Sequence, residues 1–283
     1  MTAAAARVAV ALVKQLRDAT GAPVLECKRA LEAVDSQLDA AVELLRARGA
    51  HVAARKANRS AQKALVALRL SDDGRVGGML QLCSESDFVH GHDRVRQVAE
   101  RGLQLLIEKH VRDNEQLLER LEPELHQAMG AVNEKVTVAR SAVLEAPNAG
   151  TGRVYAYLHN NAQVGVLLAL SGASPSGRNI AMHIAAMNPP FLSADRVDAA
   201  VLEREQRVAE ARAIQATPDP RRQQQIARGM LRSFTEEHCL LEQTLVTEGA
   251  ADAASGQRPR TVEEALGKEV QVVEFVRFGP LEE

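Results

Sequence analysis

Tryptophan is absent from this 283-residue chain, and tyrosine occurs only twice. With five Phe, aromatic residues make up 2% of the sequence. Proteins that grip single-stranded nucleic acid stack bases on several aromatic side chains, so a surface of that class is excluded. Cysteine is nearly as scarce. Cys27, Cys83 and Cys239 are far apart and form no C-x-x-C pair. They fit a reducing cytoplasm, and neither a disulfide framework nor a structural zinc. No apolar run approaches the roughly 20 residues of a membrane span, so no membrane partner is expected. The Ala-rich first ten residues hold one Arg and pass straight into an amphipathic segment. They are too short for a secretory signal and show no cleavage pattern, and the expected location is the cytoplasm. A net charge of −2 names no partner.

What is present is helical periodicity, then alternation. Val8, Leu12, Val13 and Leu16 recur at helical spacing. Thr20-Gly21-Ala22-Pro23 breaks that helix and opens another, Pro23 being tolerated in a first turn. Val24, Cys27, Leu31 and Val34 form a second stripe. Leu38, Ala41, Val42 and Leu45 form a third, which Gly49 is expected to end. A three-helix bundle over 1–52 results. Arg46, Arg48, Arg55, Lys56, Arg59 and Lys63 follow, with no acid between Leu44 and Ser71. Such a run serves as a phosphate-binding patch or as a solvated connector. Residues 53–63 are assigned as a basic connector, and no stable nucleic-acid partner is expected.

Residues 64–70 and 76–82 read as strands around Ser71-Asp72-Asp73-Gly74-Arg75, a hairpin turn. A helix is expected at 93–109, and a second runs through Leu117, Leu118, Leu121 and Leu125 to Met129. A strand at 134–144 completes a first core subdomain, 64–147. After the breaker Pro147-Asn148-Ala149-Gly150 the order recurs. Strands at 153–159 and 164–170 flank Asn160-Asn161-Ala162-Gln163, where Asn tolerates left-handed turn positions. Then come an apolar helix at 180–187, a short helix at 262–266 and a strand at 270–278. Residues 148–192 and 236–283 thus form a second subdomain, and the fold class is α+β with a duplicated core of antiparallel sheets and helices. Residues 193–235 interrupt it as an antiparallel helical hairpin. Val197, Val201, Val208, Ala211 and Ile214 lie on one helix, Ile226, Met230 and Phe234 on the other, and Thr217-Pro218-Asp219-Pro220 makes the turn.

The stretch that draws the eye is Gln81-Leu82-Cys83-Ser84-Glu85-Ser86-Asp87-Phe88-Val89, a strand end running into a polar turn. Ser86 or Asp87 is a candidate cap for the following helix. Phe88 either tucks into the core or is pushed outward with Asp87 toward a partner, and residue type leaves both open. Asp87, His90, His92 and Asp93 have metal-ligand chemistry. An H-x-H turn without a distant third ligand is a weak pattern, however, and no metal or cofactor is expected. His183 falls on an apolar helix face, where a core role is favoured. Nothing reads as a nucleophile–base pair or a phosphate-cradling Gly loop, so the chain is not expected to be an enzyme.

Six blocks in order carry a resemblance. Leu12-Val13-Lys14-x-Leu16-Arg17-x-x-Thr20-Gly21-Ala22, then Cys27-Lys28-Arg29-Ala30-Leu31, resembles the amino-terminal signature of the elongation factor Ts family. Ser86-Asp87-Phe88-Val89 resembles the family's T-D-F-V loop, with Ser in place of Thr. Tyr157-x-His159 through Gly165-Val166-Leu167 resembles its Y-x-H-G…G-V-L hairpin, with Asn160 in place of Gly. Residues 180–186 with Pro190-Phe191-Leu192 are similar to a fourth block, Cys239-Leu240-Leu241-Glu242-Gln243 to a fifth, and Phe275-Val276-Arg277-Phe278 to a sixth. Val24-Leu25 stands where a Met pair is common.

The resemblance implies a UBA-like amino-terminal bundle, a coiled-coil hairpin and a non-enzymatic guanine-nucleotide exchange factor whose partner is elongation factor Tu. It implies that Ser86, Asp87, Phe88 and Val89 disturb the partner's Mg²⁺ and phosphate site. It also implies that Arg17, Val24 and Leu25 bind the partner's GTPase domain, and that His159 and Asn160 bind a distal domain. For Val24 and Leu25 burial inside the bundle is the competing reading, and for His159 a satisfied strand-end His. Self-association stays open.

Overall fold

The structure, a computed structural model, describes residues 8–147, 151–159, 161–246 and 259–281. Asn160 and the breaker positions 148–150 lie outside the described residues. Three helices open the chain: α1 (Val10–Thr20), α2 (Val24–Ala33) and α3 (Leu38–Lys56). Gly21 caps α1 in a left-handed conformation, φ 67°, and its N–H donates to the Arg17 carbonyl. Only a residue without Cβ adopts that geometry cheaply. The bundle core is Leu16, Ala22, Cys27, Ala30, Leu31 and Ala41, with Leu12, Val13 and Leu45 packed on it. Val24 departs from the expected stripe: it sits in the first turn of α2 and points to solvent.

Gly49 does not end the third helix. α3 continues to Lys56, and Gly49 is buried where α3 crosses a core helix. The basic connector expected at 53–63 therefore begins as the last turn of α3.

The first sheet has order β1-β2-β3, with β1 (Lys63–Leu70), β2 (Val76–Ser84) and β3 (Val136–Glu145) all antiparallel. Between β2 and β3 run α4 (Asp93–Glu108) and α5 (Asn114–Val132). Asp113 caps α5 by accepting from the Gln116 N–H at 2.8 Å. The second sheet has order β4-β5-β6, with β4 (Arg153–Leu158), β5 (Gly165–Leu170) and β6 (Val272–Phe278). Between β5 and β6 run α6 (Gly177–Met187), α7 (Ala199–Ala216), α8 (Pro220–His238) and α9 (Val262–Leu266). Each sheet thus takes two strands before its helices and one after.

The sheets pack face to face through Val66, Met79, Leu144, Val154, Leu167 and Phe278. α4 and α5 cover the outer face of the first sheet against Leu80, Leu82, Val136 and Val138. α6 and α9 cover the outer face of the second against Val166, Leu168 and Leu170. Burial on both faces explains why β5 reads as an unbroken apolar run and β2 as one interrupted at Gln81, instead of alternating. Gly165 lets the sheets close, since a Cβ there would lie 2.5 Å from Val66 Cγ1.

α7 and α8 pack on each other, and Asp219 with Pro220 starts α8 by accepting from the Arg221 N–H at 2.9 Å. The face of α7 differs from the expected one. Ala209 and Ala213 are buried, whereas Val208, Ala211 and Ile214 are exposed, Ile214 at 63%. Ile226, Met230 and Phe234 on α8 are half-buried. His183 is in the core, as its apolar helix face suggests.

Candidate functional site

Strand β2 delivers its last residue, Ser84, to the rim of the first sheet, and a single 3-10 turn, Phe88–Gly91, joins it to α4. Phe88 is 92% exposed and Asp87 is exposed with no capping bond of its own. Val89 turns inward and packs on the first core. A buried Phe88 is thereby excluded.

The turn is exposed but not loose. Ser86 gives both its N–H (2.9 Å) and its hydroxyl (2.7 Å) to the Glu134 carboxylate. One residue earlier the direction reverses: the Glu85 carboxylate accepts from the Lys135 N–H at 2.7 Å. It also accepts from Arg59 at 2.9 Å and Lys56 at 3.4 Å. These donors, the Lys135 N–H first, hold the Glu85 carboxyl below the usual carboxylate range. Lys56, in the final turn of α3, is buried and also donates to the Asn133 carbonyl. The end of the bundle and the root of the turn are therefore tied to one acid.

Neither Ser86 nor Asp87 caps α4. His92 does, its Nδ1 accepting from the Arg94 N–H at 3.2 Å. His90 Nε2 lies 2.9 Å from Ser84 Oγ and 3.3 Å from the Lys63 carbonyl. A carbonyl only accepts, so Nε2 carries the proton. Both imidazoles are thus engaged by the protein, and among the described residues no group of three potential metal ligands gathers.

Arg94 joins the turn to the bundle a second time. Its guanidinium donates to the Ala19 carbonyl and packs over Gly21, where a Cβ would lie 2.7 Å from its Nε. The α1–α2 junction therefore rests against the start of α4. Arg17 is exposed there, as are Val24 at 53% and Leu25 at 56%. Two apolar side chains exposed in the first turn of α2 contradict the reading that buries them in the bundle.

The β4–β5 turn sits on the edge strand β1. The Val66 N–H donates to the Ala162 carbonyl at 2.6 Å, and Ala162 holds a φ of 52°. Val66 is three residues from Lys63, about 10 Å along an extended strand. The two contacts fall on opposite sides of β1, since a step of three residues turns the Val66 N–H to the free edge and the Lys63 carbonyl, with His90, toward Ser84 of β2. The His159 ring is exposed, and its Nδ1 stands 3.5 Å from the Tyr157 hydroxyl.

Sequence reasoning does not single out Glu85, Glu134, Lys135 or Arg94. One signal points to the first: the acid-free basic run at 45–70 needs counter-charge from elsewhere in the chain. The other basic side chains divide. Arg48 pairs with Glu26 at 3.0 Å, while Arg46, Arg55 and Lys63 are exposed. None of the three cysteines is reactive in this setting. All are buried, burial pushes their thiols upward, and Cys239 reaches about 11.

Among the described residues no helix is long and apolar enough to cross a membrane. The family model for Elongation factor TS matches residues 85–280. The chain is similar to Elongation factor Ts of Zymomonas mobilis, 33% identical over 96% of this chain and 92% of that protein. It is similar to Elongation factor Ts of Nitratidesulfovibrio vulgaris, 30% identical over 96% and 95%, and to that of Clostridioides difficile, 31% identical over 96% and 92%. The matched stretch takes in the turn at 86–89, α4, α5, β3 and the second sheet with its helices, and the relatives, aligned over 96% of the chain, extend it; the chain belongs to the elongation factor Ts family.

Proposed function

We propose that this protein is a translation elongation factor Ts acting in protein biosynthesis in the cytoplasm, where it binds elongation factor Tu·GDP and promotes release of GDP and entry of GTP. The observation that carries the reading is Phe88, almost fully exposed between Ser86, which Glu134 holds, and Val89, which packs on the first core. An exposed Phe on a fixed turn is a ready wedge: burying it in a partner gains roughly 1.5–3 kcal/mol. Mg²⁺ requires near-ideal octahedral geometry, so a small displacement of the partner's metal surroundings by Asp87 and Phe88 expels it and loosens the nucleotide. Weakening nucleotide binding a thousandfold requires about 4 kcal/mol of coupling. By reciprocity the nucleotide weakens the factor's grip equally.

A wedge alone does not supply that. Arg17, Val24 and Leu25 form the anchor on the GTPase domain, and His159 and Asn160 grip a distal domain. The bundle over 1–52 is UBA-like, 53–63 connects it to the core subdomains 64–147 and 148–192 with 236–283, and 193–235 is an inserted coiled-coil hairpin. No chemistry of its own is needed.

Release of fluorescent GDP from elongation factor Tu tests the reading. Catalytic amounts of the protein accelerate release. Absence of acceleration with the cognate partner at micromolar concentration rejects it.

A further inference from the structure

We propose that Glu134 is the positioning residue of the Ser86–Val89 turn: by accepting from both the N–H and the hydroxyl of Ser86 it fixes Asp87 and Phe88 in their projecting pose before any partner arrives. This deepens the exchange reading and rests on it for its kinetic consequence.

Water favours folding an exposed Phe inward, yet Phe88 stands out at 92% exposure. Its ring is not held by packing, and Asp87 makes no capping bond. The restraint therefore comes from the residues on either side. Downstream, Val89 is anchored in the first core and His90 reaches Ser84. Upstream, the Ser84 hydroxyl donates to the Ser86 carbonyl and Ser86 itself is gripped by Glu134.

Glu134 is well placed for this. It follows Asn133, which ends α5 with φ 52°, and precedes β3, so its backbone is fixed by both elements. Its neighbour Lys135 returns the contact by donating its N–H to Glu85. Residues 85–86 and 134–135 thus form a crossed pair of carboxylate-to-backbone bonds. Each is charge-assisted and partly shielded from water, the strong kind of hydrogen bond. A preset turn spares the ordering cost that a loose one meets as Phe88 enters the partner after the anchor has docked.

The missing tryptophan supplies a clean probe. The substitution Phe88→Trp introduces a single indole into a chain that has none, so its fluorescence anisotropy reads the turn alone. The expected result is a restrained indole signal that drops when Glu134→Gln or Ser86→Ala is added and is kept with Ser86→Thr, which preserves the hydroxyl. In the otherwise natural chain, Glu134→Gln lowers the maximal rate of GDP release about tenfold, the equivalent of about 1.4 kcal/mol. The half-saturating concentration stays constant because the anchor is untouched. Ser86→Ala behaves alike, and the double variant is no slower than the slower single, since both remove one linkage. Unchanged anisotropy in both Glu134→Gln and Ser86→Ala overturns the proposal, as does Ser86→Thr being as mobile as Ser86→Ala. If the wild type does not accelerate exchange at all, the exchange reading falls, and anisotropy by itself decides the role of Glu134.

Discussion

Gly49 of α3 and Gly130 of α5 face each other with nothing between them: a Cβ on Gly130 would lie 3.1 Å from the Gly49 Cα, and one on Gly49 would lie 2.5 Å from the His126 carbonyl oxygen. This crossing seats α3 on α5. Gly49→Ala sets two effects against each other. Alanine is the better helix former by about 0.8–1.0 kcal/mol, while overpacking costs about 1–3 kcal/mol. The obstructing atom belongs to backbone and cannot swing aside, so packing wins. A net loss of about 1 kcal/mol is expected in urea denaturation, and an unchanged or raised midpoint contradicts it.

Phe88→Ala separates wedge from core. Core Phe→Ala changes cost about 3–5 kcal/mol, whereas exposed positions usually stay within about 0.5 kcal/mol. A near-normal melt with slow GDP release is expected. A melt lowered by many degrees would mean that Phe88 packs inward in solution.

Leu25→Asp tests the anchor. The side chain is more than half exposed, so stability changes little. The half-saturating concentration of the factor in GDP release should rise about tenfold, a loss of about 1.4 kcal/mol, with the maximal rate retained. Equal half-saturation in mutant and wild type moves the anchor elsewhere.

His183 gives the fold a pH dependence. Its Nδ1 accepts from the Val246 N–H at 3.2 Å, and Nε2, 2.9 Å from Gln243 Oε1, carries the proton. Burial, partly offset by the bond to Gln243, holds the imidazole below its ordinary value. The unfolded chain therefore binds the proton more readily. Stability from this group is complete above about pH 6.5. It declines as pH falls through that value, levelling only when the folded imidazole itself protonates. Denaturant midpoints at about pH 7.5 and pH 5.5 should differ more in the wild type than in His183→Gln; equal differences would place the sensitivity in another group.

The order of strands and helices was legible because periodicity survives wherever an element faces one core, as in α4 or β3. Legibility failed where a residue's role depends on a partner remote in sequence. Gly49 looks like a helix stop because glycine commonly ends helices; that α5 crosses there is visible only in three dimensions. On α7 the larger Val208 and Ile214 suggest the packed face, but the buried positions are Ala209 and Ala213, which only the position of α8 reveals. At the site, Phe88 was legible as a candidate and its exposure was not, since Glu134 lies 48 residues from Ser86. Ser86 looks like a cap because its hydroxyl is suited to one; here the turn at 88–91 delays α4 until Asp93, and the cap position falls to His92.

Gln81, fully buried between the sheets, donates to the Gly279 carbonyl at 2.7 Å, while Arg140 bonds both groups. The two ends of that latch are 198 residues apart. On a ribosome adding about 5–20 residues per second, the amide waits roughly 10–40 s for its acceptor to be made. Throughout that interval the second sheet lacks β6, and the inner face of β2 is covered only in part. The nascent chain thus carries a timed exposure of apolar surface, and the factor's own synthesis leans on whatever shields unfinished chains in the cell.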